Sequence, residues 1–119
     1  MQLLIAVINQ DEKLDAILSG FVELGITGAT VIRSEGMGRV LTHQVPIFAG
    51  LQTLLARARP ENVTIFSVIR DAEKVSAALT LLQQVCGDLN DPATGIAFTL
   101  PVDQVVGLAR ELDKEELTP

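Results

Sequence analysis

The chain contains no tryptophan and no tyrosine, and it has one cysteine and one histidine. Cys86 has no partner for a disulfide within one copy, which fits a reducing compartment such as the cytoplasm. His43 alone cannot build a metal site, because such sites need several nitrogen, sulfur or carboxylate ligands. We therefore predict no metal, with His43 only a weak candidate where copies meet on a symmetry axis.

Positive charge and long apolar runs are also scarce. The net charge is −6, and 20% of the residues are charged against 48% that are hydrophobic. Nucleic acid binding needs a basic stripe, which this composition argues against. The apolar stretches, such as residues 3–8, are too short to span a bilayer, and the start of the chain does not read as a signal peptide. We predict a folded cytoplasmic protein that binds no nucleic acid and does not insert into a membrane.

Nucleophile and base combinations are missing as well. No arrangement of serine, histidine and an acidic residue suggests acyl transfer. The acidic pairs at residues 11–12 and 115–116 are interpreted as solvent-exposed charges at the ends of secondary-structure elements. Cys86 lies near the end of an amphipathic helix pattern, where a buried structural thiol is favoured over a nucleophile. We predict no catalytic residue and no enzyme activity.

What the chain does contain is an internal near-repeat. Residues 7–18 align without a gap with residues 68–79, and half of the aligned pairs are identical. In both copies the end of an apolar strand leads into an amphipathic helix. Two strand–helix–strand halves predict an α+β, ferredoxin-like βαββαβ fold, with a four-stranded antiparallel sheet and both helices on one face.

The near-repeat also sets the domain organisation. We predict one domain over residues 1–112, with a loop and short helix inserted at 35–62, followed by an acidic tail at 113–119. The patterns predict strands over 2–8, 27–32, 63–69 and 96–100, helices that end at Gly25 and Gly87, and a short helical stretch over 101–112.

The first and third strands are apolar on both sides. In the first strand Leu3, Ile5 and Val7 alternate with Leu4, Ala6 and Ile8, and the third strand has Phe66 and Val68 opposite Ile65 and Ile69. With both helices on one face, the other face would leave a large apolar patch on a monomer. Its burial, at roughly 25 cal/mol per Å², favours self-association into a closed ring.

The insertion opens with Gly36-Met37-Gly38-Arg39, directly after a strand. Two glycines one residue apart let the backbone turn tightly and present amide donors to an anion. Arg39 would add a guanidinium that pairs with a phosphate or carboxylate. The segment is read either as a ligand site or as a plain turn at the end of a strand.

The rest of the insertion predicts a short amphipathic helix. Pro46 suits a first helical turn, and apolar residues recur along one stripe from residue 47 to 58. This helix packs either on its own assembly or on a partner protein. The candidate docking residues are Val45, Pro46, Ile47, Phe48 and Leu51.

Two groups of segments resemble the nitrogen regulatory PII signalling family, in the superfamily that also includes CutA. Residues 26–31 and the Gly-Met-Gly-Arg segment resemble the family's second strand and its Gly-Phe-Gly-Arg segment. Residues 95–98 resemble its last strand, and residues 101–106 resemble the segment after that strand. The resemblance implies a homotrimer with an effector nucleotide in each cleft between subunits. It also implies a loop that docks on ammonium transporters or enzymes of nitrogen metabolism.

The resemblance also implies which residues contact the effector. Thr30 matches a threonine beside the adenine, and Val68 matches a backbone position there. Gly36, Gly38 and Arg39 match the segment that contacts the nucleotide. Together with their neighbours in the matching segments, the implied effector residues are Thr30, Gly36, Met37, Gly38, Arg39, Val68 and Gly95.

The chain departs from the family pattern where charge matters most. Val40 replaces a glutamine that helps hold 2-oxoglutarate, and Phe66 replaces a glutamate near the adenine. Ile96 stands at the lysine of the phosphate loop, and Gly107 and Ala109 stand at two arginines that grip the phosphates. The absence of tyrosine also removes the family's uridylylation site.

The resemblance and these departures together indicate a divergent signal-transduction regulator. It would sense ATP, ADP, AMP or another small anionic effector between subunits and regulate a membrane transporter or a metabolic enzyme. ATP needs several compensating cations, so the chain would bind nucleotide weakly, bind something smaller, or act through loop docking alone. The alternative is a CutA-like metal-responsive trimer, or a purely structural one.

Overall fold

The computed structural model describes residues 1–38, 40, 61–91 and 94–117. The predicted docking residues between 45 and 51, together with Arg39 and His43, lie outside these ranges. The elements in chain order are β1 (Gln2–Ile8), a 3₁₀ turn (Asp11–Lys13), α1 (Leu14–Glu23), β2 (Thr30–Ser34), β3 (Asn62–Ile69), α2 (Ala72–Cys86), β4 (Gly95–Pro101) and α3 (Lys114–Leu117).

The four strands form one antiparallel sheet in the order β2-β3-β1-β4. The two strands of the near-repeat, β1 and β3, lie at the centre. Ile5 in β1 is opposite Phe66 in β3 and Phe98 in β4, which fixes the register. The α+β class and the antiparallel four-stranded sheet are confirmed, and the arrangement is compatible with a ferredoxin-like fold.

The core lies between the two long helices and one face of the sheet. From the helices, Ile17 and Leu82 are fully buried, and Phe21 nearly so. A Cβ on Gly20 would lie 2.4 Å from Cδ2 of Leu81, so this glycine lets α1 pack closely on α2. The buried hydrophobic residues are Leu4, Ala6, Ile8, Ile17, Phe21, Ile26, Val63, Ile65, Ile69, Val75, Ala78, Leu82 and Cys86.

The thiol of Cys86 belongs to this core, and its burial raises its pKa, with Lys13 opposing the effect. Folding therefore favours the protonated thiol, so the stability it contributes is present below about pH 9 and is lost as the pH rises further. We expect the gap in unfolding free energy between the parent and Cys86→Ala to be smaller at pH 10 than at pH 7. Urea denaturation at both values measures it, and a constant gap would contradict the prediction.

The segment after β4 differs from the prediction. No helix covers residues 102–113, and a short helix, α3, lies instead within the stretch predicted to be a loose acidic tail. The backbone groups of this segment bond to distant parts of the chain: the Val102 amide donates to the Met1 carbonyl (3.2 Å) and the Leu112 amide to the Gly25 carbonyl (2.8 Å). Gly107 has a φ of +82°, which is incompatible with a continuous helix.

Candidate functional site

The face of the sheet opposite the helices carries the predicted apolar surface. Residues paired across antiparallel strands point to the same side, so the register arranges this surface in rows. Phe98, Leu100 and Ile96 on the edge strand β4 are 41%, 47% and 56% exposed. The rows are Leu100, Leu3 and Val68; Phe98, Ile5, Phe66 and Thr30; and Ile96, Val7, Thr64 and Ile32. We call these residues the open face.

Two of the predicted effector residues meet at the β2 side of the open face. Thr30 is directly opposite Phe66, and Val68 lies one row further along β3. Ser67 lies between Phe66 and Val68 in β3, and its hydroxyl donates a hydrogen bond to the Gly28 carbonyl. The connection that leads into β2 is thereby tied to β3 beside these residues.

The Gly-Met-Gly segment comes directly after the end of β2. The amide of Val40 donates to the Gly36 carbonyl (3.2 Å), and the Met37 side chain is 77% exposed. A Cβ on Gly36 would come no closer than 3.6 Å to its nearest neighbour, the Asn62 amide nitrogen. Steric exclusion therefore does not explain this glycine. Residues 37, 38 and 40 are helical, and this exposed segment remains available to a ligand or to a partner protein.

A polar cluster at the base of the insertion was missed by the sequence analysis. The Ser34 hydroxyl donates to Oδ1 of Asn62 and lies 2.9 Å from Oγ1 of Thr64. Asn62 is buried, at 7% exposed. These residues hold together the ends of β2 and β3, where the chain leaves the sheet and returns. Alternating polar residues at two strand ends were the available signal.

Gly95 lies at the opposite edge of the sheet from the other effector residues. It is paired with Ile8, has a φ of +149°, and a Cβ there would lie 2.4 Å from the Val7 carbonyl oxygen. Two strands separate β4 from β2, which at about 4.8 Å per spacing places them roughly 14 Å apart. A single copy thus brings Thr30 and Val68 together, and leaves Gly95 apart from both.

Arg70 is a cation that the sequence analysis did not single out. It lies directly after β3, is exposed, and lines two neighbouring cavities of about 610 and 320 Å³. Residues 103–106 line the larger cavity, and residues 108–111 line the smaller one. Its position depends on the path of the chain after β4, which no local pattern indicates.

Metal ligands do not cluster in the part of the chain that the structure describes. Groups of three or more histidine, cysteine, aspartate or glutamate residues able to hold an ion are absent from it. Likewise, none of the described helices is long and apolar enough to cross a bilayer.

Comparison with known proteins identifies the family. The family model described as nitrogen regulatory protein P-II matches residues 1–111, which include every described strand and both long helices. No curated protein matches the chain in a separate comparison. The matched range also includes the segments singled out by resemblance, from Thr30 to Gly95 and beyond. The chain belongs to the nitrogen regulatory protein P-II family.

Proposed function

We propose that the chain is a signal-transduction regulator that assembles as a homotrimer and senses a small anionic effector or an adenine nucleotide between its subunits. Membership of the P-II family makes it a regulatory protein. The observation that carries the proposal is the open face, whose three rows run from the edge strand β4 to β3, two of them reaching β2, and are almost entirely apolar. Burying this surface against other copies removes it from water.

Assembly would also complete the effector site. Thr30 and Gly36 lie at the β2 edge, whereas Gly95 lies at the β4 edge. In a closed ring, the β2 edge of one copy can approach the β4 edge of the next. A cleft between copies would then hold the residues that one copy keeps apart.

The charges favour an effector with few phosphates. Ile96, Gly107 and Ala109 supply no cation, and Ile96 is directed into the open face. Each phosphate that enters the cleft without a cationic partner loses hydration without compensation. We therefore propose that AMP binds at least as tightly as ATP, with Arg39 as the main cationic contact.

The same proposal extends to location and partner. We infer a cytoplasmic protein with one domain over residues 1–112. Its partner, a membrane transporter or a metabolic enzyme, would be contacted through the segment after β2. The proposed docking residues are Val45, Pro46, Ile47, Phe48 and Leu51.

Thermal unfolding with ATP, ADP, AMP and cyclic AMP tests the effector site. A ligand at one hundred times its dissociation constant stabilises the folded state by about 2.7 kcal/mol, so we expect the melting temperature to rise by at least several degrees. Arg39→Ala should reduce this shift. Arg33→Ala, which removes only an exposed ion pair with Asp11, should preserve it.

A different set of thermal-unfolding results would favour the alternative function. If no nucleotide changes the melting temperature, while copper or zinc raises it and His43→Ala abolishes that effect, a CutA-like metal-responsive trimer replaces the nucleotide sensor. A protein that responds to neither class favours the purely structural trimer over the nucleotide sensor.

A further inference from the structure

Residues 102–112, which we call the strap, leave the β4 edge and reach the connection between α1 and β2 near the opposite edge. At the near end, the Val102 amide donates to the Met1 carbonyl (3.2 Å). At the far end, the Leu112 amide donates to the Gly25 carbonyl (2.8 Å), and Nζ of Lys74 donates to the Leu112 carbonyl (2.6 Å). The strap is therefore fixed at both ends.

The far end is held by a partly buried ion pair. Nζ of Lys74 lies 3.6 Å from Oε2 of Glu111, and the two side chains are only 17% and 15% exposed. The other carboxylate oxygen of Glu111 accepts a hydrogen bond from the Arg70 amide (2.5 Å). Lys74 thus contacts both a side chain and a carbonyl of the strap, and it is the residue of α2 on which the far end depends.

The connection between α1 and β2 is shaped to receive the strap. A Cβ on Gly25 would lie 2.0 Å from the Leu112 oxygen, and a Cβ on Gly28 would lie 2.6 Å from Cβ of Ala109. Between the two glycines, the Thr27 hydroxyl donates to the Arg110 carbonyl (2.5 Å). Any larger residue at either glycine would displace the strap.

The middle of the strap is held less closely than its ends. Val106 is fully exposed, a Cβ on Gly107 would meet nothing within 4 Å, and the conformational freedom of this glycine suits a hinge. Residues 103–106, in this part of the strap, line the open pocket of about 610 Å³ together with Met1 and Arg70. A segment fixed at its ends and exposed at its centre can open at one end without unfolding the core.

We propose that the strap is a lid that opens at its far end, turning about Gly107, and that Lys74 is the latch that keeps it closed. Opening would move Ala109 away from Gly28, whose carbonyl accepts a hydrogen bond from Ser67, between Phe66 and Val68. The latch is thereby connected to the β2 side of the open face. The connection to an effector rests on the proposed function: an effector that binds there and a closed strap stabilise each other by the same factor.

Amide hydrogen exchange of the assembled protein tests the latch. In Lys74→Met, we expect the Leu112 and Arg70 amides to exchange at least tenfold faster, with the amides of Ile5 and Ile65 unchanged. Lys13→Met is the matched control, because Lys13 occupies the equivalent position of the near-repeat. Unchanged Leu112 exchange, or a rise shared equally with the core amides, would overturn the latch.

AMP tests the connection to the effector. We expect AMP to slow Leu112 exchange in the parent, and Lys74→Met to weaken AMP binding by at most the factor by which AMP slows strap opening. If AMP binds but leaves Leu112 exchange unchanged, the strap is not coupled to the effector. If AMP does not bind, the proposed nucleotide site fails, while exchange in Lys74→Met still decides whether the latch exists.

Discussion

Phe98→Asp is expected to convert the proposed homotrimer into single subunits. Phe98 stands on the edge strand in the central row of the open face, beside Ile5. Its ring is 41% exposed in one copy and lies outside the helix-side core, so each subunit should still fold. In a trimer built on this face, the new carboxylate would be buried without a partner, at a cost of several kcal/mol per copy.

Because the proposed trimer would carry the substitution three times, the total penalty is on the order of 10 kcal/mol, or about seven orders of magnitude in the dissociation constant. Sedimentation velocity over a range of dilutions measures the change. Val106→Asp is the matched control, since Val106 is fully exposed on the strap and away from the sheet. A Phe98→Asp protein that sediments like the parent would remove the open face as the assembly surface.

The sheet could be predicted because its signals are local. Strand and helix periodicities repeat within short windows, and the near-repeat between residues 7–18 and 68–79 indicates that two halves share one plan. The apolar open face followed from the same alternation in β1 and β3. Asp71 illustrates how local such a signal is, since its side chain caps α2 by accepting from the Glu73 amide two residues away.

Strand β2 shows where prediction from local sequence patterns fails. The pattern predicts β2 over residues 27–32, but the strand runs from Thr30 to Ser34. Thr27 and Gly28 bond instead to Arg110 and to Ser67, residues far away in sequence. The strap itself could not be predicted for the same reason, because its partners at Gly25 and Lys74 are long-range. From the sequence alone, the spacing of apolar residues in this segment favours a helix, because nothing local indicates its long-range hydrogen-bond partners.

Only part of the candidate site could be predicted from the sequence, because long-range contacts position the rest. Thr30 and Val68 were found by resemblance, and the register places them in neighbouring rows at one edge of the open face. The buried Asn62 at the base of the insertion and Arg70 beside the strap have no sequence motif. Their roles depend on which strand ends and which segments the fold brings together.

Gly25→Ala is expected to destabilise the protein more than Gly87→Ala, although the two positions have nearly the same φ. Each glycine comes after a long helix, with φ of +88° at Gly25 and +84° at Gly87. A Cβ at a positive φ is strained at both positions, and Gly87, whose ψ is −171°, lies in a region that is essentially restricted to glycine; the strain is about 1 to 3 kcal/mol. At Gly87 nothing lies within 4 Å of the added atom, so that strain is the whole expected effect.

At Gly25, the added Cβ would lie 2.0 Å from the Leu112 oxygen, so the strap must leave its place. The Leu112 amide and the Lys74 ammonium then lose their bonds at this end, which adds about 2 to 4 kcal/mol. Urea denaturation of both variants measures the difference, and hydrogen exchange at Leu112 should lose protection only in Gly25→Ala. Equal destabilisation of the two variants would show that the strap is not seated on Gly25, and the latch at Lys74 would then have nothing to close.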